Sequence, residues 1–164
     1  MATHRRHRNG RGPMTKGDMV EFRRTFYSHW GVYIGDGRVI HKSMNERESR
    51  WDSFRFLSPF SCCGVILKKT SVHIAPIHRI DRNGSARCNN YLDSTKQPLP
   101  TDTIMRNAFS KQNEESYNLF YDNCEHFATW CRYGEALSQQ VRDCLVFLVP
   151  IVAIILLYTY YVKY

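Results

Sequence analysis

The sequence predicts an α+β fold: a small antiparallel sheet packed by helices, followed by a C-terminal transmembrane helix. Three observations predict it. Short runs of alternating apolar and β-branched residues dominate between Lys16 and Ile80. Helix signals begin only beyond Pro98-Leu99-Pro100, and the run 144–162 carries no charge at all. At 164 residues the chain suffices for one core with extensions.

Residues 1–15 carry Arg5, Arg6, Arg8 and Arg11 with no acidic residue, so four of the net +8 charges lie there. Glycines and a proline follow the arginines, and the segment is expected to be a disordered basic arm. Phosphate neutralisation suits such an arm to an anionic membrane surface; no helical amphipathicity marks it for a specific nucleic acid. Residues 16–143 are expected to form the folded domain. Its strands are read at 19–24, 30–34, 38–42, 64–69 and 71–77, with a turn over Asp81-Arg82-Asn83-Gly84-Ser85. Thr101 can cap a helix running to about Lys111, with Ile104, Met105 and Ala108 on its apolar face. Asp122 or Asn123 can cap a second helix to Tyr133, where Gly134 stops it.

The six cysteines, at 62, 63, 88, 124, 131 and 144, show no paired C-x-x-C spacing, and no signal peptide precedes the domain. Neither a disulfide framework nor a zinc site is expected, and a reducing compartment follows. Adjacent Cys62-Cys63 read as strand-edge residues. No internal repeat or phosphate-binding glycine loop is present.

Cys124 falls in the first turn of the second helix. Unpaired N–H groups there stabilise negative charge on sulfur, so the thiol pKa is expected to fall below its free value of about 8.5. A nucleophilic cysteine needs a base, and the segment from Tyr27 to His41 offers one. Gly35, Asp36 and Gly37 supply a tight hairpin turn. If the loop is centred on Asp36, paired positions sum to 72, and His29 and His41 become diagonal neighbours on one face. A two-residue loop at Asp36-Gly37 would instead send them to opposite faces. Together with Cys124 they would form a Cys-His-His arrangement, one imidazole taking the thiol proton and the other orienting the first. His126, two residues from Cys124 on the same helix, points elsewhere and reads as structural.

These residues carry a resemblance. His29-Trp30-x-x-Tyr33-x-Gly35-Asp36-Gly37, then Val39-Ile40-His41, Asn123-Cys124-Glu125-His126-Phe127 and Arg132-Tyr133-Gly134, resemble the lecithin retinol acyltransferase-like proteins. That group is a circularly permuted branch of the NlpC/P60 papain-like hydrolases. Within it the chain is most similar to the phospholipase A and acyltransferase group, also called H-Ras-like suppressors. Lys16-Gly17-Asp18, Asn89-Asn90 and Gln140-Val141-Arg142-Asp143 add to the likeness. The resemblance implies Cys124 as nucleophile, His29 as general base and acid, and His41 as third member. After His41 the chain departs from the group, with Lys42-Ser43-Met44-Asn45 and a charged stretch from Glu46 to Asp52.

The implied function is thiol-dependent phospholipase A1/A2 hydrolysis and phospholipid acyl transfer through a thioester, including N-acylation of phosphatidylethanolamine. The substrates are membrane glycerophospholipids, and no metal or organic cofactor is needed. Helix N-terminal amides, with help from Tyr27, would stabilise the oxyanion. One alternative is retinol O-acylation, since Cys131-Arg132-Tyr133-Gly134 resembles the retinol enzyme. Another is a non-catalytic membrane adaptor that retains the fold.

Residues 144–162 span a hydrocarbon core of roughly 30 Å at about 1.5 Å rise per residue. Pro150 can kink that helix, and Tyr158, Tyr160 and Tyr161 suit an interface belt. Only Lys163 and Tyr164 follow, so the expectation is a single-pass tail anchor with the catalytic domain in the cytoplasm.

Overall fold

The computed structural model describes residues 9–10, 12–25, 27–44, 69–81, 83–117 and 123–163. Cys62-Cys63, the charged stretch 46–52, residues 64–68 of the strand expected over 64–69 and residues 1–8 of the basic arm lie outside the described residues.

The described strands are β1 (Asn9–Gly10), β2 (Met19–Arg23), β3 (Ser28–Gly35), β4 (Arg38–Met44), β5 (Lys69–Pro76), β6 (Ala86–Asn89) and β7 (Glu115–Tyr117). They form one seven-stranded sheet in the order β1-β6-β2-β3-β4-β5-β7, with every pairing antiparallel. The helices are α1 (Ile77–Ile80), α2 (Thr101–Ser110), α3 (Cys124–Tyr133) and α4 (Gln139–Lys163), with a 3-10 turn at Tyr91–Ser94. The expected α+β layout is therefore present. Within the segment expected as a disordered arm, Asn9 and Gly10 pair with Asn89 and Cys88. Several boundaries also differ. Pro100, not Thr101, is the N-cap of α2, and no side chain caps it. Strand β5 runs unbroken through Thr70, while Ile77 starts a helical turn instead of ending a strand.

Alternation along the strands divides the core in two. On one face Met19, Trp30, Val32, Ile34, Ile40 and Val72 pack against Ile104 and Ala108 of α2 and Phe127, Ala128 and Cys131 of α3. On the other, Val20, Phe22 and Val39 gather Met14, Tyr33, Ile77, Ile80 and Ala86. A buried polar cluster fixes α3 against the start of β2. Arg132 donates to Gly17 O at 2.7 Å and through Nη2 to Asp93 at 2.8 Å, and Tyr133 donates to Asp93 at 2.8 Å. Asn90 donates to Asp18 at 3.0 Å and accepts from Met19 N at 2.8 Å. Burying Arg132 without these acceptors would be strongly unfavourable, so the cluster holds as a unit.

Helix α4 begins at Gln139, five positions before the apolar run, and continues unbroken past Pro150 to Lys163. It is long and apolar enough to cross a membrane, with a mean hydropathy of 2.4 and no part of that window buried. One departure from the expected reduced thiols lies here: Cys144 is disulfide-bonded, whereas Cys88, Cys124 and Cys131 are free.

Candidate active site

The hairpin of β3 and β4 decides the geometry of the candidate site. Its turn is the two-residue loop Asp36-Gly37, with φ of 51° and 66°, closing the pair Gly35↔Arg38. By itself that loop would place the two histidines on opposite faces. A register shift between Tyr33 and Gly35 restores the other parity, and Tyr33↔Val39, Val32↔Ile40 and Gly31↔His41 all sum to 72. His29 and His41 therefore share a face, as the centred loop predicts, although the turn itself is the other one. Their rings meet edge to face, with His29 Nε2 2.9 Å from His41 Nδ1.

A third imidazole joins them. His73 lies directly opposite His41 on β5, its ring centroid 4.3 Å from that of His41, and its Nε2 is 3.1 Å from Ser43 Oγ. Sequence reasoning misses His73, because the register of β5 on β4 is set across residues 45–68 and no short turn fixes it. His41 is buried, and its Nε2 has no hydrogen-bond partner. The tautomer matters. If His41 accepts at Nδ1, His29 carries its proton on Nε2 and presents a lone pair at Nδ1, the form a base needs. Burial pushes His29 down to about 3 and His41 down to about 2, aided by the neighbouring Arg24, His29 and His73 charges. Both rings are neutral at physiological pH.

Cys124 opens α3. Asn123 caps that helix in a reciprocal box: its side chain accepts from His126 N at 2.9 Å, and its own N–H donates to His126 Nδ1 at 3.3 Å. His126 is thus structural, as expected, and Gly134 ends the helix with φ 78°. The thiol is not acidified. Burial pushes it up to about 12, outweighing the hydrogen bonds from the Trp30, Cys124 and Glu125 amides. This corrects the expectation of a lowered pKa: desolvating a thiolate costs more than a helix N-terminus returns.

The Trp30 amide reaches Cys124 for a backbone reason. Tyr33 bonds through both its N–H and its C=O toward β2, to Asp18 O and Gly17 N. Alternation then turns the N–H and C=O of Trp30 and Ser28 toward β4. Yet the β3–β4 ladder stops at Gly31↔His41, although the strands themselves continue to Ser28 and Met44. In that opening the Trp30 amide is left to the sulfur. By register the histidines lie on the face away from α3, and no hydrogen bond joins the Cys124 thiol to either imidazole. The Trp30 amide, next in the chain to His29, faces the Cys124 sulfur. Tyr27 sits partly exposed just before β3, its carbonyl accepting from Arg24 N at 2.9 Å. Among the described residues no group of three or more His, Cys, Asp or Glu side chains is arranged to hold a metal ion.

The family profile described as lecithin retinol acyltransferase matches residues 13–137, which takes in Tyr27, His29, His41, His73, Cys124 and His126 and ends before α4 begins. Human "Phospholipase A and acyltransferase 1" is 36% identical over 130 residues, 79% of this chain and 73% of that protein. Rat "Lecithin retinol acyltransferase" is 34% identical over 138 residues, 77% of this chain and 58% of the relative. Human "Phospholipase A and acyltransferase 3" is 32% identical over 131 residues, 79% of this chain and 77% of the relative.

Proposed function

The chain belongs to the lecithin retinol acyltransferase family, and from that premise we propose that it is a cysteine-dependent phospholipase A1/A2 and acyltransferase acting on membrane glycerophospholipids. The observation that supports this reading is the His29 Nε2–His41 Nδ1 contact of 2.9 Å at the unpaired end of the β3–β4 ladder; with the proton on His29 Nε2, its Nδ1 lone pair can take the thiol proton once ring and sulfur meet across that opening. Burial raises the thiol and lowers the imidazole, so the resting pair is neutral and the thiol proton passes to His29 as attack begins. Cys124 Sγ attacks the ester carbonyl as His29 takes the thiol proton. The tetrahedral oxyanion is stabilised by the N-terminal amides of α3 and by Tyr27. The C–O bond then breaks, and His29 returns the proton to the leaving alkoxide. A lysophospholipid departs and a thioester remains on Cys124. Water, or the amine of phosphatidylethanolamine, attacks that thioester through the same base, and the thiolate leaves and is reprotonated.

In this reading residues 1–15 serve as a basic arm against anionic lipid, 16–143 as the catalytic domain, and 144–162 as the anchor that holds it at a cytoplasmic membrane surface. The twenty-five residues of α4, exposed along their apolar length, support the anchor. The reaction uses no cofactor. Incubation with acyl-labelled phosphatidylcholine should give a hydroxylamine-labile adduct on the peptide containing Cys124, and its absence from active protein would refute the thioester route. Retinol is the second acceptor to assay, because lecithin retinol acyltransferase matches at an identity close to that of the phospholipases. Retinyl ester forming faster than free fatty acid would favour that alternative.

A further inference from the structure

The opening between β3 and β4 is occupied by more than the thiol. At Ser28, two residues before Trp30, the side-chain amide of Gln140 stands where β4 would otherwise pair. Ser28 N donates to Gln140 Oε1 at 2.7 Å, and Gln140 Nε2 donates to Ser28 O at 3.1 Å. Two reciprocal bonds to one residue are what a hydrogen-bonded strand neighbour supplies. Gln140 belongs to the first turn of α4.

The same turn is fastened to the residue after the nucleophile. Glu125 is 1% exposed. It accepts from Gln139 N at 3.1 Å, Gln140 N at 3.2 Å and Gln140 Nε2 at 3.2 Å, as well as from the hydroxyls of Tyr91 and Ser138. A buried carboxylate facing the first amides of a helix satisfies donors that would otherwise be orphaned and complements the positive end of its dipole. One glutamine thus bridges the strand that carries His29 and Trp30 to the helix that carries Cys124.

We propose that Gln140 is a positioning residue for the Cys124 thiol: by replacing β4 at Ser28 and binding Glu125 beside the nucleophile, it fixes the open end of β3 against the first turn of α3. The base of the apolar helix is thereby part of the acyl-transfer site. This rests on the thiol reading of the preceding section, and it extends that reading to a residue outside the nucleophile, base and third member.

The test uses the full chain in detergent with two variants. Gln140→Met keeps the side-chain length and removes both bonds to Ser28. Val141→Ala loosens the neighbouring buried position and leaves those bonds intact. For Gln140→Met, the kcat of acyl-enzyme formation should fall at least about tenfold with KM nearly unchanged, the scale on which a misplaced reacting group loses rate. Iodoacetamide labelling of Cys124 at pH 8, read by peptide mass spectrometry, should slow severalfold in the same variant. Val141→Ala should match its drop in melting temperature without either effect. Unchanged or faster labelling in Gln140→Met, or an equal slowing in Val141→Ala, overturns the proposal. Wild-type protein that forms no acyl adduct refutes the thioester reading instead, and the labelling rates still decide the role of Gln140.

Discussion

One hairpin has two ends that obey different rules. At the turn, β3 and β4 are joined by Asp36-Gly37, and an irregularity at Ile34 keeps the ladder in register. Beyond Gly31↔His41 the same strands run on without pairing to each other, and there the Trp30 and Ser28 backbone groups are met by Cys124 and Gln140. The closed end consists of local chemistry, glycines and an aspartate in left-handed conformations, and makes no contact with the candidate site. The open end is assembled from residues about a hundred positions apart. Closure sets which face the histidines occupy; opening lets a helix reach the strand between them.

The largest effect expected is at the open end. Cys124→Ser should lower both hydrolysis and acyl transfer at least about a thousandfold, because a hydroxyl is far harder to deprotonate than a thiol, and catalytic groups acting as a unit fail together. The melting temperature should stay close to that of the parent. Near-normal turnover by the folded variant would remove Cys124 from the mechanism.

The histidine pair ranks next. His29→Ala should lose nearly all acyl-enzyme formation, on the order of the 10²–10⁴-fold that a positioned base supplies. His41→Gln should keep part of it, since an amide oxygen can accept from His29 Nε2 where His41 Nδ1 now stands. Full activity in His29→Ala, with loss confined to His41, would exchange the two roles. Rates of adduct formation from labelled phosphatidylcholine measure both.

Much of this was legible beforehand, for local reasons. The helix from Asn123 to Gly134 announces itself by its caps, whereas the shared face of His29 and His41 is one of two outcomes the turn residues allow and is reached through a register shift between Tyr33 and Gly35. The motifs carrying the family likeness divide on inspection. Gly17, Asp18, Asn90, Arg132 and Tyr133, drawn from three of those motifs, converge on one buried polar cluster at the end of α3 opposite Cys124, so much of the resemblance is architecture. What could not be read is long-range. His73 depends on a register set across residues 45–68, and Gln140 on the approach of α4 to β3. The direction of the thiol shift failed for a related reason. A helix N-terminus is visible in sequence, whereas the desolvation opposing it depends on what packs above the sulfur.

A smaller effect concerns pH. Burial keeps His29 and His41 neutral in the folded chain down to about 3 and about 2, whereas the unfolded imidazoles take up protons below their ordinary value of about 6.5. The unfolded state therefore binds more protons through that window. Stability should be complete above it and fall as pH drops, by at most about 1.4 kcal/mol per pH unit for each histidine. Urea titrations in detergent at pH 7, 6 and 5 should give a shallower dependence for His41→Gln than for the parent. An equal slope in both would mean that His41 is not held neutral by the fold.

The smallest effects come from two glycines of the same hairpin and separate its ends most sharply. Gly37, at the turn, has φ 66° and open space where a Cβ would go. Gly37→Ala should therefore cost about 1 kcal/mol through backbone strain alone and leave acyl transfer unchanged. Gly31, the last paired residue before the opening, has no positive φ, but a Cβ there would stand 3.0 Å from Ile40 O and 3.1 Å from His41 Cβ. Gly31→Ala should cost a similar about 1–3 kcal/mol by overpacking, because neither backbone nor Cβ can swing aside. Its displacement falls on His41 and on the strand leading to Trp30, so acyl-enzyme formation should drop as well. Comparable melting temperatures with activity lost only in Gly31→Ala would place the chemistry at the open end. Equal activity in the two variants would show that the end of the ladder has no part in aligning the imidazoles.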